Sequence, residues 1–180
     1  MIKIFYTFKV LSEILFSIGV CAFLLYSIHT LNLSMPVPVY VKSDPLVAEA
    51  KIALNHLGAP TNKIDKFSVA IGNAAKLTDF SPTLLVALMY TESMFKETAI
   101  SPKNYKGLMQ TPKATFIYSD VDILYGSRIL RDKMGDAKGD LPLALALYKG
   151  GNNPAAKRYA KECLQIYNNL KKKRIDNDSV

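Results

Sequence analysis

From residue 14 to residue 33 the chain carries no Asp, Glu, Lys or Arg. About 20 apolar residues, at roughly 1.5 Å rise each, are enough to cross a hydrocarbon core of about 30 Å. The centre of the run, I-L-F-S-I-G-V-C-A-F-L-L-Y-S-I, is interrupted only by small or weakly polar residues. It therefore lacks the polar stripe of a helix packed on a protein surface. Lys3 and Lys9 precede it, and no Lys or Arg follows before Lys42. That asymmetry predicts a cytoplasmic N-terminus, residues 1–13, and a signal anchor, residues 14–33, in the inner membrane. A linker, residues 34–43, then leads to a domain on the periplasmic side, residues 44–170, and a charged tail, residues 171–180. The rival reading is a cleaved signal peptide. H-T-L-N-L-S-M-P offers no Ala-x-Ala site, and Val20 is too bulky for Cys21 to read as a lipoprotein cysteine.

The rest of the chain is globular in composition, with 49% hydrophobic and 21% charged residues over 180. Two Cys and two His rule out a disulfide scaffold and argue against a multi-ligand zinc site. No metal and no cofactor is expected. Cys21 falls in the apolar run and Cys163 far from it, so no internal disulfide is expected. The net charge of +8 admits an anionic partner, whether nucleic acid, membrane surface or acidic polymer.

Beyond residue 44 the pattern predicts an all-α domain. Asp44-Pro45 is an N-cap with Pro at the first helical position. Leu46, Ala50, Ala53, Leu54 and Leu57 then share one face, and Gly58 ends the helix. A second helix is expected over residues 63–76. Ser81-Pro82 repeats the cap signal and opens T-L-L-V-A-L-M-Y-T-E-S-M-F, apolar nearly all round and therefore central. A loop covers residues 96–110, and Thr111-Pro112 begins a short helix. Further helices are expected over residues 120–134, closed by Gly135, over 141–148, stopped by Gly150-Gly151, and over 153–170. No segment alternates as a strand would.

Glu92 lies late in the most apolar helix. A helical Glu is ordinarily a solvated group at a helix end. A carboxyl enclosed in apolar surroundings instead favours its protonated form and can serve as a proton donor. The residues that follow bear on that choice: Glu92-Ser93, Phe95, Ala99, Ser101, Gly107-Leu108-Met109-Gln110 and Pro112. In this order and spacing they resemble the signature of lytic transglycosylases with a soluble-lytic-transglycosylase domain, whose fold is goose-lysozyme-like. The third motif of that family is Tyr-Asn-x-Gly after an Ala-rich helix. It is met here by Tyr148 and Gly151. The resemblance spans roughly residues 64–167. Lys149 stands where the family has Asn, Asn104-Tyr105 replaces a small Gly-Ala pair, and the step from Gln110 to Pro112 is one residue short.

The resemblance implies cleavage of the β-1,4 bond between N-acetylmuramic acid and N-acetylglucosamine in peptidoglycan, with a 1,6-anhydro product. It implies that Glu92 is the single general acid and base. A hydrolytic glycosidase needs a second carboxylate to hold water or attack, whereas here the substrate's own C6 hydroxyl attacks. It also implies that Tyr148 hydrogen-bonds the acid and that Ser101, Gly107, Leu108, Met109 and Gln110 support or line the sugar subsites. Core filling is the plainer reading of Met109 and Phe95, a turn that of Gly107, and a helix-end polar group that of Ser93. Lys149 is expected to point outward or toward substrate, because an ammonium beside the acid works against proton donation.

Three other functions remain open on sequence. A hydrolytic muramidase of the same fold would draw a second acid from Glu97, Asp79, Asp120 or Asp122. A non-catalytic wall-binding subunit would keep the fold without the acid's role. A nucleic-acid binder rests on charge alone, which a solvated basic face explains, and an exported domain argues against it. Small one-domain members of the family often open the wall for secretion, conjugation or phage assemblies, which is the partner class that analogy suggests.

Overall fold

The computed structural model describes residues 44–112 and 118–178, with side chains as far as residue 174. The apolar run 14–33, the linker and the continuation of the helix expected after Pro112 lie outside the described residues. Among those residues no helix is long and apolar enough to cross a membrane.

Six helices account for the described chain: α1 (Pro45–His56), α2 (Ile64–Thr78), α3 (Pro82–Ser93), α4 (Ser119–Asp136), α5 (Leu141–Lys149) and α6 (Pro154–Asp178), with a single 3-10 turn at Thr61–Lys63 before α2. No strand occurs among them, only isolated antiparallel bridges that tie Lys106 to Ile100 and to Thr111. The domain is all-helical, consistent with the lysozyme-like class.

Side-chain caps set several of the helix starts, and the one at Asp44 is as the sequence predicts. Asp44 accepts from the Leu46 amide at 2.9 Å, and Asp140 accepts from Leu143 at 3.1 Å, each ahead of a Pro in the first turn. Each satisfies one of the amides that a helix start leaves without an intrahelical partner. Two ends differ from expectation. Helix α4 runs past Gly135 to Asp136, and the chain reverses at Lys138 and Gly139, both at positive φ. Helix α6 continues through the charged segment to Asp178. Arg174, within that segment, pairs with Glu49 of α1 at 2.6 Å, which gives those turns a tertiary contact.

Helix α3 is the axis of the core. Leu85, Val86, Ala87, Leu88 and Met89 are all fully buried, and the helix packs against α1, α2 and α6. Each Leu, Val or Met among them contributes about 1.5–3 kcal/mol by leaving water. Truncating Leu88 to Ala would cost about 2–5 kcal/mol. The start of α3 is not capped by Ser81 as its sequence suggests. Glu49 of α1 takes that role, accepting from the Thr83 amide at 3.3 Å, the Thr83 hydroxyl at 2.7 Å and the Ser81 hydroxyl at 2.8 Å. Burial pushes the Glu49 carboxyl up, but these hydrogen bonds and Arg174 outweigh it and hold it below the usual range.

Helix α3 ends in a sharp reversal. Met94 and Phe95 take consecutive left-handed conformations at φ 49° and 65°. A non-glycine residue there costs about 1–2 kcal/mol. Two contacts offset this: the Met94 amide donates to Tyr90 O at 2.8 Å, and the buried Phe95 ring packs on Tyr90 with centroids 5.4 Å apart. Phe95 is thus core. Ser93 donates to Met89 O at 3.1 Å, a helix-end polar contact.

Candidate active site

The reversal after α3 leaves Glu92 on the last helical turn, facing a cleft of about 200 Å³. Its walls come from α3 (Glu92), the following loop (Ser101, Pro102, Lys103, Tyr105 and Gln110) and the end of α5 (Tyr148 and Lys149). A larger groove of about 1020 Å³ runs between α5 and α6, lined in part by Leu143, Lys157 and Leu164. Its one carboxylate, Asp140, is occupied as the α5 cap.

The Glu92 side chain is only 2% exposed, yet it carries an ion pair: Lys149 Nζ lies 3.0 Å from Glu92 Oε2 and is itself 43% exposed. This corrects the expectation that Lys149 points away from the acid. The ammonium also sits 4.7 Å from the centroid of the Tyr159 ring, a cation–π contact that explains why it stays inward. Tyr159, on α6, is a site residue that the sequence reading missed. Its hydroxyl is buried beside Glu92. Burial first, then the negative charge of Glu92, push its phenol well above the usual range.

Tyr148 does not hydrogen-bond the acid. Its hydroxyl donates to Met109 O at 2.7 Å, so it braces the turn that carries Gln110. Burial, then the charges of Glu92 and Asp122, raise its phenol well above the usual range. The 107–110 turn is held from below by Asp122 of α4. One oxygen, Oδ2, accepts the Leu108 amide at 2.5 Å and the Met109 amide at 3.3 Å, and Oδ1 accepts the Thr111 hydroxyl at 3.3 Å. Burial raises the Asp122 carboxyl above its usual value, with those amides and the hydroxyl working against it. Helix α4 can come this close because residue 126 is glycine. A Cβ there would lie 2.4 Å from Met109 Cβ and 3.0 Å from the Tyr148 hydroxyl.

The remaining predicted residues divide. Ser101 and Gln110 line the cleft. The Ser101 hydroxyl accepts the Tyr105 amide at 3.0 Å. Gln110 spends its amide nitrogen on Ala99 O at 3.0 Å and Gly107 O at 2.8 Å. Gly107 is a turn residue at φ 81°. Leu108 and Met109 are core, 1% and 0% exposed, and do not line the cleft. Within the 107–110 turn, Gln110 is the residue that reaches the cleft.

A family model, the Transglycosylase SLT domain, matches residues 70–170. The chain belongs to that family. It is a lytic transglycosylase acting on peptidoglycan. No curated protein and no solved structure matches it. The matched segment contains Glu92, the 107–110 turn, Tyr148 and Tyr159, so every group placed around the acid lies inside it.

None of the candidate second acids Glu97, Asp79, Asp120 and Asp122 of the transglycosylase lines the cleft, and Glu97 and Asp122 are engaged elsewhere. Glu97 is clamped by Lys63 at 2.7 Å and Lys66 at 3.1 Å, and it accepts from the Ser119 hydroxyl. It thus ties the 3-10 turn, α2 and the start of α4 to the loop after the acid. Burial raises its carboxyl, but Lys63, Ser119 and Lys66 prevail and bring it down to about 2. A depressed carboxyl stabilises the fold above the ordinary carboxylate range, and that stabilisation is lost as pH falls through the folded value. Glu97→Gln should therefore destabilise the protein at pH 7 by about 1–2 kcal/mol, below the roughly 3 kcal/mol the shift converts to, because both lysines are partly solvated. Denaturant midpoints of variant and wild type should converge near pH 2. A gap that persists there would mean the cluster acts by packing and not by charge.

Proposed function

We propose that the protein cleaves the bond between N-acetylmuramic acid and N-acetylglucosamine by intramolecular transglycosylation, with Glu92 as the only acid and base. As the C1–O4 bond breaks, protonated Glu92 gives its proton to the leaving N-acetylglucosamine oxygen. The muramoyl C6 hydroxyl then bonds to C1, and the Glu92 carboxylate accepts the hydroxyl's proton, which restores the starting state with a 1,6-anhydro end and no water consumed. The observation that carries this reading is that Glu92 is the one carboxylate among the described residues that lines the cleft. Asp122 and Glu97 are saturated with donors, and Asp79 is the left-handed residue that ends α2. A hydrolase of the usual kind would need a second carboxylate to hold water. Digestion of purified sacculi with mass analysis of the released muropeptides tests the reading. Anhydro ends are expected, and reducing ends would indicate a muramidase instead.

The apolar run at residues 14–33, with Lys3 and Lys9 before it, supports a chain anchored in the inner membrane with its catalytic domain on the periplasmic side. The glycan strands of the wall are then within reach, and a secretion, conjugation or phage assembly is the kind of partner such placement serves. N-terminal sequencing of the mature protein should find the run retained. A start after about residue 25 would exclude the anchor.

A further inference from the structure

The cleft is cationic at its mouth. Lys103 and Lys149 both line it, against the single carboxylate of Glu92. Lys149 is paired with that carboxylate, while no carboxylate among the described residues pairs with Lys103. The two lysines share one small cleft, and Lys103 Nζ reaches the backbone just after Lys149: a Cβ on Gly150 would lie 3.5 Å from it. Lys149 is also the exposed member of its pair, so it stands between solvent and Glu92.

This arrangement sets two costs for an incoming strand. Covering Lys103 with a neutral sugar strips water from a charge and returns nothing, which is costly unless the ligand supplies a partner. Proton transfer at Glu92 Oε2 also requires Lys149 to give up the position it holds there. One feature of the ligand relieves both: an anionic group placed beside the scissile sugar. Charge-assisted hydrogen bonds of an ammonium to a carboxylate are among the stronger polar contacts, so such a group competes with Glu92 for Lys149.

We propose that Lys103 and Lys149 form a carboxylate-binding subsite, and that Lys149 passes from Glu92 to a carboxylate of the glycan strand as the strand seats. The proposal rests on the reading of Glu92 as the acid. It makes the enzyme selective for anionic strands, and it frees the Glu92 carboxylate to take from solvent the proton it donates as the correct substrate arrives. Peptidoglycan offers that carboxylate from two sources. Intact strands carry it on the peptide stems, and strands stripped by an amidase carry it on the lactyl group of the muramoyl sugar.

The test uses the full chain in detergent micelles with four substrates: intact and amidase-stripped strands, each with carboxyls free or converted to amides. Release of soluble fragments and co-sedimentation are both read. Amidation should slow wild-type release and weaken co-sedimentation by about tenfold or more on at least one strand type, and that type names the source. Lys103 is exposed, so Lys103→Gln should fold, and it should bring the ratio between free and amidated strands to within about twofold. Equal handling of free and amidated strands by the wild type would overturn the subsite. So would a Lys103→Gln variant that keeps the wild-type ratio. If the wild type cleaves all four substrates alike, only the subsite falls. If it cleaves none, the reading of Glu92 falls, and co-sedimentation still decides the subsite.

Discussion

Glu92→Gln should fold normally and lose at least about 10²–10⁴-fold in muropeptide release, the range that proton transfer by a positioned side chain supplies. The substitution keeps the shape of a side chain that is 98% buried and leaves a carbonyl oxygen for Lys149, so the loss reads the chemistry and not the fold. A Gln cannot give and retake a proton, and no other carboxylate lines the cleft among the described residues to replace it. Release within about threefold of wild type would remove Glu92 from the reaction.

Gly126→Ala should be the most damaging single change away from the acid. Its Cβ would meet Met109 Cβ at 2.4 Å and Cγ at 2.8 Å, with the Tyr148 hydroxyl at 3.0 Å. Met109 is fully buried. Overpacking of this kind costs about 1–3 kcal/mol and sometimes more, worth roughly 10 °C in Tm for a domain of this size. The displacement also falls on the Tyr148–Met109 hydrogen bond and hence on the turn that presents Gln110. Activity measured below the variant's Tm should therefore drop at least about tenfold, beyond what loss of folded protein explains. A Tm within about 2 °C of wild type would show that α4 can shift without disturbing the turn.

Both predictions bear on how far the residues alone could be read. Features whose cause lies within a few positions were legible: the Asp44-Pro45 and Asn153-Pro154 starts, the all-round apolarity that makes α3 central, and the ordered Glu92 to Pro112 signature. Features whose cause lies far away in the chain were not. Ser81 carries a capping sequence, yet Glu49, 32 residues earlier, does the capping. The family resemblance implies that Tyr148 bonds the acid, yet it donates to Met109 O, because only the packing of α5 shows which acceptor comes within reach. Tyr159 reads as an ordinary residue of an amphipathic helix until α6 is laid against α3. Gly126 offered a weak signal, a helix-interior glycine that costs about 1 kcal/mol and so calls for a packing reason. Lys149 was noticed as a departure, but its direction depends on the Tyr159 ring, which nothing local to Lys149 announces.

Cleavage by one acid and the substrate's own hydroxyl, as proposed, consumes no water. Digesting sacculi with the full chain in heavy-oxygen water tests this most directly. Transglycosylation predicts products lighter by one water than the corresponding hydrolysis products, with no heavy oxygen at the new muramoyl end. Heavy oxygen at that end, on a product of full hydrolytic mass, would contradict it and require a water-holding group that the cleft around Glu92 does not provide among the described residues.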